Sequence, residues 1–123
     1  MILVDTSVWI DHFRETDPAL AAALDGGVVL MHPFVVGELA CGNLRRRRET
    51  LELLENLPAV PTATDAEAME FIERRSLMGR GIGYVDVHLL ASVALTGTAR
   101  LWTRDRRLAA VAADLDLAAA EES

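Results

Sequence analysis

The sequence predicts an α/β fold with a central, mostly parallel β-sheet flanked by α-helices. Three observations lead there. Short apolar runs such as MILV and VVLM are bounded by Gly, Pro, Asp and Ser, as buried strands are. Between them lie longer stretches with helical spacing and helix-start signals. At 123 residues the chain is one domain with a single core, and strands that alternate with helices in such a domain pair in parallel through helical crossovers.

The elements follow in order. Residues 1–5 form a strand, an apolar run stopped by Asp5. Thr6 or Ser7 caps the helix SVWIDHFR, since a side-chain oxygen there satisfies free amides of the first turn. Asp17-Pro18 opens a second helix through about Asp25, with Pro where its missing N–H costs nothing, and Gly26-Gly27 ends it. Val28 to Met31 is a second strand. Residues 33–43 and 46–56 are helices. Pro58 to Pro61 holds only a short strand. Asp65 to Met78 is an amphipathic helix broken by Gly79, Gly81 and Gly83. Tyr84 to Leu95 is apolar on every face, which predicts a central helix. Arg100 to Thr103 is a strand, 106–113 a helix, and Leu115 to Ala118 an edge strand. No repeat, linker or internal boundary interrupts the chain.

Composition excludes several kinds of chemistry. All twelve basic residues are Arg. Without Lys there is no Walker phosphate loop, no Schiff-base catalysis and no phospho-receiver chemistry. No apolar run approaches the roughly 18 residues that span a bilayer, and the opening MILVDTS lacks a basic leader, so neither a membrane segment nor a signal peptide is expected. The lone Cys41 fits a reducing cytoplasm and reads as a small core residue. His12, His32 and His88 lack zinc-like spacing and read as structural or surface residues. The net charge of −7 argues against a broad nucleic-acid-binding face. Yet Arg45–Arg48, Arg74, Arg75 and Arg80, and Arg100, Arg104, Arg106 and Arg107 are clustered, and such clusters can hold phosphates locally.

Four acidic residues carry the chemistry. Asp5 closes the first strand, Glu38 lies in HPFVVGELACG, Asp86 begins the apolar helix, and Asp105 follows ARLWT. In an open parallel sheet, sites form at the carboxyl ends of strands. Asp5 and Asp105 each stand just past such an end, and nearby helix starts bring Glu38 and Asp86 to the same edge. Gathered carboxylates repel one another. A hard divalent cation with oxygen ligands relieves that repulsion and attracts phosphate. Each acid also has a plainer reading, as a helix cap or a surface carboxylate; the four together point to one site. Ser7, His88 and Asp86 do not make a nucleophilic triad, because residues two apart on a helix face different ways.

VDTSVWID, HPFVVGELACG, GYVDVHLLASV and LWTRDRRL resemble, in this order, the motifs of the PIN domain, and more closely the VapC toxins of bacterial type II toxin–antitoxin pairs. The resemblance covers essentially the whole chain. It implies a PIN-like fold and a Mg²⁺- or Mn²⁺-dependent endoribonuclease that cuts structured transfer or ribosomal RNA and so arrests translation. Its acidic positions fall on Asp5, Glu38, Asp86 and Asp105, all expected as metal ligands. Its hydroxyl positions fall on Ser7 (or Thr6) and Thr103. It also implies a homodimer and a cognate VapB-type antitoxin, for which Trp9, Phe13, Leu20, Leu24, Leu51 and Leu54 line either an apolar groove or the core. Two other readings stay open: a non-toxin PIN-domain nuclease in RNA processing, and a catalytically silent acidic binding module. A phosphatase with Asp5 as phosphoryl acceptor is disfavoured, since position 7 is Ser and Lys is absent.

Overall fold

A computed structural model describes residues 1–120. Its sheet has three strands, β1 (Ile2–Val4), β2 (Val29–Leu30) and β3 (Arg100–Trp102), all parallel, in the order β2-β1-β3. The register pairs Ile2 with both Val29 and Arg100. Parallel neighbours need crossovers. The first runs through α1 (Thr6–Arg14) and α2 (Pro18–Asp25), and the second through α3 (Pro33–Ala40), α4 (Arg47–Glu55), α5 (Asp65–Arg75) and α6 (Tyr84–Thr96). The last helix is α7 (Arg106–Asp114). β1 is flanked on both sides, so Leu3 and Val4 are fully buried.

The two short strands expected at the sheet edges shrink to single bridges, Met31 with Ala59 and Leu101 with Ala118, both parallel. Pro58 and Pro61 leave the first too little room to continue, since Pro has no amide to donate. In the second, Leu101 alone donates to Leu117 and accepts from Ala119.

Helix α6 is the central element that the sequence predicts. Seven consecutive residues, Val87 to Val93, are buried, so the helix is covered all round. Its one buried hydroxyl, on Ser92, accepts from the Ala63 amide at 3.0 Å and is thereby satisfied. Gly97, in the left-handed conformation at φ 71°, closes the helix, as a residue without Cβ does most easily.

Three helices stop short of the expected bounds. Helix α3 ends at Ala40, where the Arg47 guanidinium takes the carbonyl oxygens of Ala40 and Gly42, free at the helix end. Helix α4 begins only after Arg46, whose left-handed backbone (φ 48°) reverses the chain. Helix α5 ends at Arg75, where Ser76 turns left-handed (φ 54°) and the Leu77 amide bonds back to the Ile72 carbonyl. Cys41 is also corrected: it caps the exposed end of α3 and is exposed rather than a core residue. Among the described residues no helix is long and apolar enough to cross a membrane.

Candidate active site

The chain leaves β1 directly into α1, and that junction builds the centre of the site. Asp5 occupies the cap position of α1, but its side chain caps nothing. It is only 7% exposed and turns toward β3. Its Oδ2 accepts two hydroxyl hydrogen bonds, from Ser7 at 2.8 Å and from Thr103 at 2.7 Å. Each hydroxyl has one proton, so the 3.3 Å approach of Ser7 to Thr103 is a contact between acceptors. Their lone pairs are used as well: Ser7 accepts from the Arg104 amide and Thr103 from the Asp105 amide. The start of α1 and the loop after β3 are thus bound to each other through one carboxylate.

The remaining acids arrive on helix ends. Glu38, exposed on α3, accepts from the Thr6 hydroxyl at 2.7 Å. The alternation of Thr6 and Ser7 at the opening of α1 therefore serves two acids, Thr6 for Glu38 and Ser7 for Asp5, where the sequence left one hydroxyl position open between them. Asp86 bends back to the Gly83 amide at 3.1 Å. Asp105 caps α7, its Oδ1 accepting from the amides of Arg107 and Leu108. The cap reading and the site reading of Asp105 are therefore compatible: one oxygen is used by the helix.

Charge links the four. Burial pushes the Asp86 carboxyl above its usual range; the Gly83 amide opposes this, and the charges of Asp5, Asp105 and Glu38 add to the rise. Asp86 thus lies within reach of the charges of the other three. Among the described residues, no three His, Cys, Asp or Glu side chains stand close enough to form a metal cage on their own. Each acid has one oxygen held by the protein, at Thr6, at Ser7 and Thr103, at Gly83, or at the start of α7. The other oxygen of each has no protein donor among the described residues. By donor type, carboxylate oxygens with a spare lone pair suit a hard cation such as Mg²⁺ or Mn²⁺ better than any soft metal.

Scaffolding residues surround the acids, and two sets escaped the sequence reading. Arg104 lies between Thr103 and Asp105, stacks over Trp102 at 5.7 Å, and bonds Asp11 at 2.8 Å and Asp17. That hydrogen bond from Arg104 is the main reason the Asp17 carboxyl sits below its usual range. Asp17 in turn caps α2. The sequence grouped Arg104 with Arg100, Arg106 and Arg107 as a local phosphate-holding cluster, whereas its guanidinium is engaged here by Asp11 and Asp17. At the other end, Asp65 accepts from Tyr84 and from the buried His88, both at 2.9 Å, and holds the first turn of α6, where Asp86 stands. These bonds, Tyr84 first, lower the Asp65 pKa. His32 caps α3 by accepting from the Phe34 amide, and His12 accepts from the Asp17 amide, so all three histidines are structural.

The six apolar residues weighed for a groove divide. Trp9, Leu20 and Leu54 are core, and Leu24 and Leu51 pack against it. Phe13 alone lines a groove, with a different set of neighbours.

Residues 2–114 match the family model described as PIN domain. The chain is 51% identical over 122 residues to Ribonuclease VapC32 from two strains of Mycobacterium tuberculosis, covering 99% of this chain and 98% of each relative. A solved structure, that of FitAB bound to a fragment of IR36 DNA, superposes with a TM-score of 0.61 at 19% identity, covering 96% of this chain and 92% of that one, and so shares the fold. With family model and near relatives spanning almost its whole length, this chain belongs to the PIN-domain family, in its VapC group.

Proposed function

We propose that the chain is a metal-dependent endoribonuclease, the toxin of a type II toxin–antitoxin pair. The observation that carries this reading is that the charges of Asp5, Glu38 and Asp105 all act on Asp86, each acid having one oxygen without a protein donor among the described residues. The 51% identity to a protein named a ribonuclease supports RNA as the substrate class.

Asp5 and Asp86 would be the principal ligands for Mg²⁺ or Mn²⁺, Glu38 would be a further ligand or orient the water, and Asp105 would hold a second or weaker ion. When bound, the cation makes a water more acidic and offsets charge on the phosphate and departing oxygen. The protein groups do the rest. Ser7 and Thr103 hold Asp5 Oδ2, so that its other oxygen faces the site in a fixed direction. Thr6 restrains the exposed Glu38, which would then be placed to bind the cation or orient its water. Asp86, kept partly out of water, has the strongest electrostatic reason to take a cation.

The substrate is structured transfer or ribosomal RNA, cut in the cytoplasm to halt translation. The partners are a second copy of the chain and a VapB-type antitoxin, whose basic residue would neutralise the acids. The deciding experiment is incubation of total bacterial RNA with the purified chain in Mg²⁺, in Mn²⁺ and in EDTA, beside an Asp86→Asn control. Discrete fragments that require metal and vanish in the control are expected. Intact RNA under every metal condition, from folded and antitoxin-free protein, overturns the reading and leaves the acids as a docking site for a basic partner.

A further inference from the structure

A groove of about 820 Å³ is lined by Ile10, Phe13 and Arg14 of α1, by Glu38 of α3, and by Arg45 and Arg46 ahead of α4. Of the four acids Glu38 alone lines it, and so joins the groove to the candidate site. We propose that this groove holds a single-stranded segment of the RNA adjoining the phosphate to be cut. The proposal rests on the ribonuclease reading above, and goes on to say where the strand lies.

Charge is the first argument. Three Arg residues and one carboxylate line the groove, in a chain whose net charge is −7. Arg14 and Arg45 have no ion-pair partner among the described residues, and Arg46 meets Glu49 only at 3.9 Å with both side chains largely exposed. A polyanion approaching four carboxylates is repelled, so it needs cations within about 10 Å, the reach of charge at ordinary ionic strength. The groove supplies them beside Glu38. Arg, rather than Lys, also matches phosphate oxygens with two parallel N–H donors.

Shape is the second argument. Phe13 (39% exposed) and Ile10 (42% exposed) give the groove an uncovered apolar wall, and Phe13 offers a ring face to a base. Trp9, Phe71 and Trp102 are buried, so few aromatic faces remain for stacking. Stacking with phosphate contacts is how proteins hold single-stranded nucleic acid.

The third argument is that the cationic wall is already built. The Thr50 hydroxyl bonds the Arg45 carbonyl at 2.9 Å, and Arg47 is spent on the end of α3. The turn carrying Arg45 and Arg46 is therefore fixed before any strand arrives, which lowers the ordering cost of binding.

The test uses the full chain and a fluorescein-labelled, single-stranded RNA 12-mer, with anisotropy read in EDTA so that nothing is cut, and kinetics read in Mg²⁺. Three proteins are compared: wild type, Arg45→Gln/Arg46→Gln, and Phe13→Ala, each checked by circular dichroism. The Arg pair should weaken binding about tenfold and reduce the slope of log affinity against log salt by about 1.4, roughly 0.7 for each lost phosphate contact. The loss should fall on KM. Phe13→Ala should weaken binding without changing the salt slope, because a ring contact carries no charge. Wild-type cleavage with unchanged affinity and KM in both variants overturns the groove proposal alone and leaves the groove to a helix of a protein partner. Wild type that neither binds nor cuts RNA overturns both readings.

Discussion

Thr103, at the end of β3, donates its hydroxyl to Asp5, at the end of β1, across 2.7 Å. The two residues are 98 positions apart, and the bond closes the carboxyl edge of the two paired strands. The same Thr103 oxygen accepts from the Asp105 amide, so one hydroxyl orients one acid and sets the start of the loop bearing another. A Thr103→Val variant keeps the shape and removes both bonds. It should lower cleavage about 10- to 100-fold, the usual cost of losing a group that orients a metal ligand, and should cost about 1–3 kcal/mol of stability. Metal titrations of cleavage and denaturant melts together check this. A variant that cuts like wild type at every metal concentration removes Thr103 from the site.

Asp5→Asn tests the centre itself. The Asn oxygen can still accept from Ser7 and Thr103, so the fold is expected to survive, while the negative charge offered to the cation is lost. Cleavage should drop more than about a hundredfold, beyond the scale of an orienting partner, with the circular dichroism spectrum retained. A folded Asp5→Asn protein of full activity contradicts the assignment.

His32 makes stability depend on pH. Its Nδ1 accepts from the Phe34 amide, so its proton sits on Nε2, which is buried without a partner. Burial, followed by the nearby His88, lowers its pKa from 6.5 to about 4. The folded state therefore resists a proton that the unfolded chain accepts. Stability from this group is complete above about pH 6.5 and is lost as pH falls toward 4, by about 3 kcal/mol at most. Urea unfolding at pH 7 and at pH 4.5 measures it against His32→Asn, which can keep the cap but cannot titrate. The drop should be smaller in the variant; equal drops in both proteins exclude His32 as the cause.

The start of α5 offers a prediction about the scaffold alone. The Thr64 hydroxyl accepts from the Glu67 amide at 3.1 Å, and the Glu67 carboxylate accepts from the Thr64 amide at 2.9 Å. Thr64→Ala should cost about 1 kcal/mol and leave RNA cleavage nearly untouched, since Asp65 keeps its own bonds to Tyr84 and His88 at the start of α6. Thermal melts and a cleavage assay separate the two effects, and a loss of activity without loss of stability would show that the cap of α5 acts on the site through Asp65.

The alternation of strand and helix and the central place of α6 were legible in the sequence, and so were the four acids as candidates for one site. These are matters of local periodicity: a fully apolar helix has to be covered, and an acid that ends a buried strand has to meet solvent or a cation. What the chain could not state locally, tertiary structure decided. Thr6 goes to Glu38 and Ser7 to Asp5 because α3 and the end of β3 approach the start of α1 from different sides, 32 and 96 residues away along the chain. Cys41 is exposed because Arg47 folds back to end α3 at Ala40, a contact with no sequence period. Trp9 enters the core while Phe13, four residues on, lines a groove with Arg45 and Arg46, because α1 packs against α3 and leaves its end open. Amphipathic pattern tells which residues seek burial; only the packed neighbours decide which of them find it.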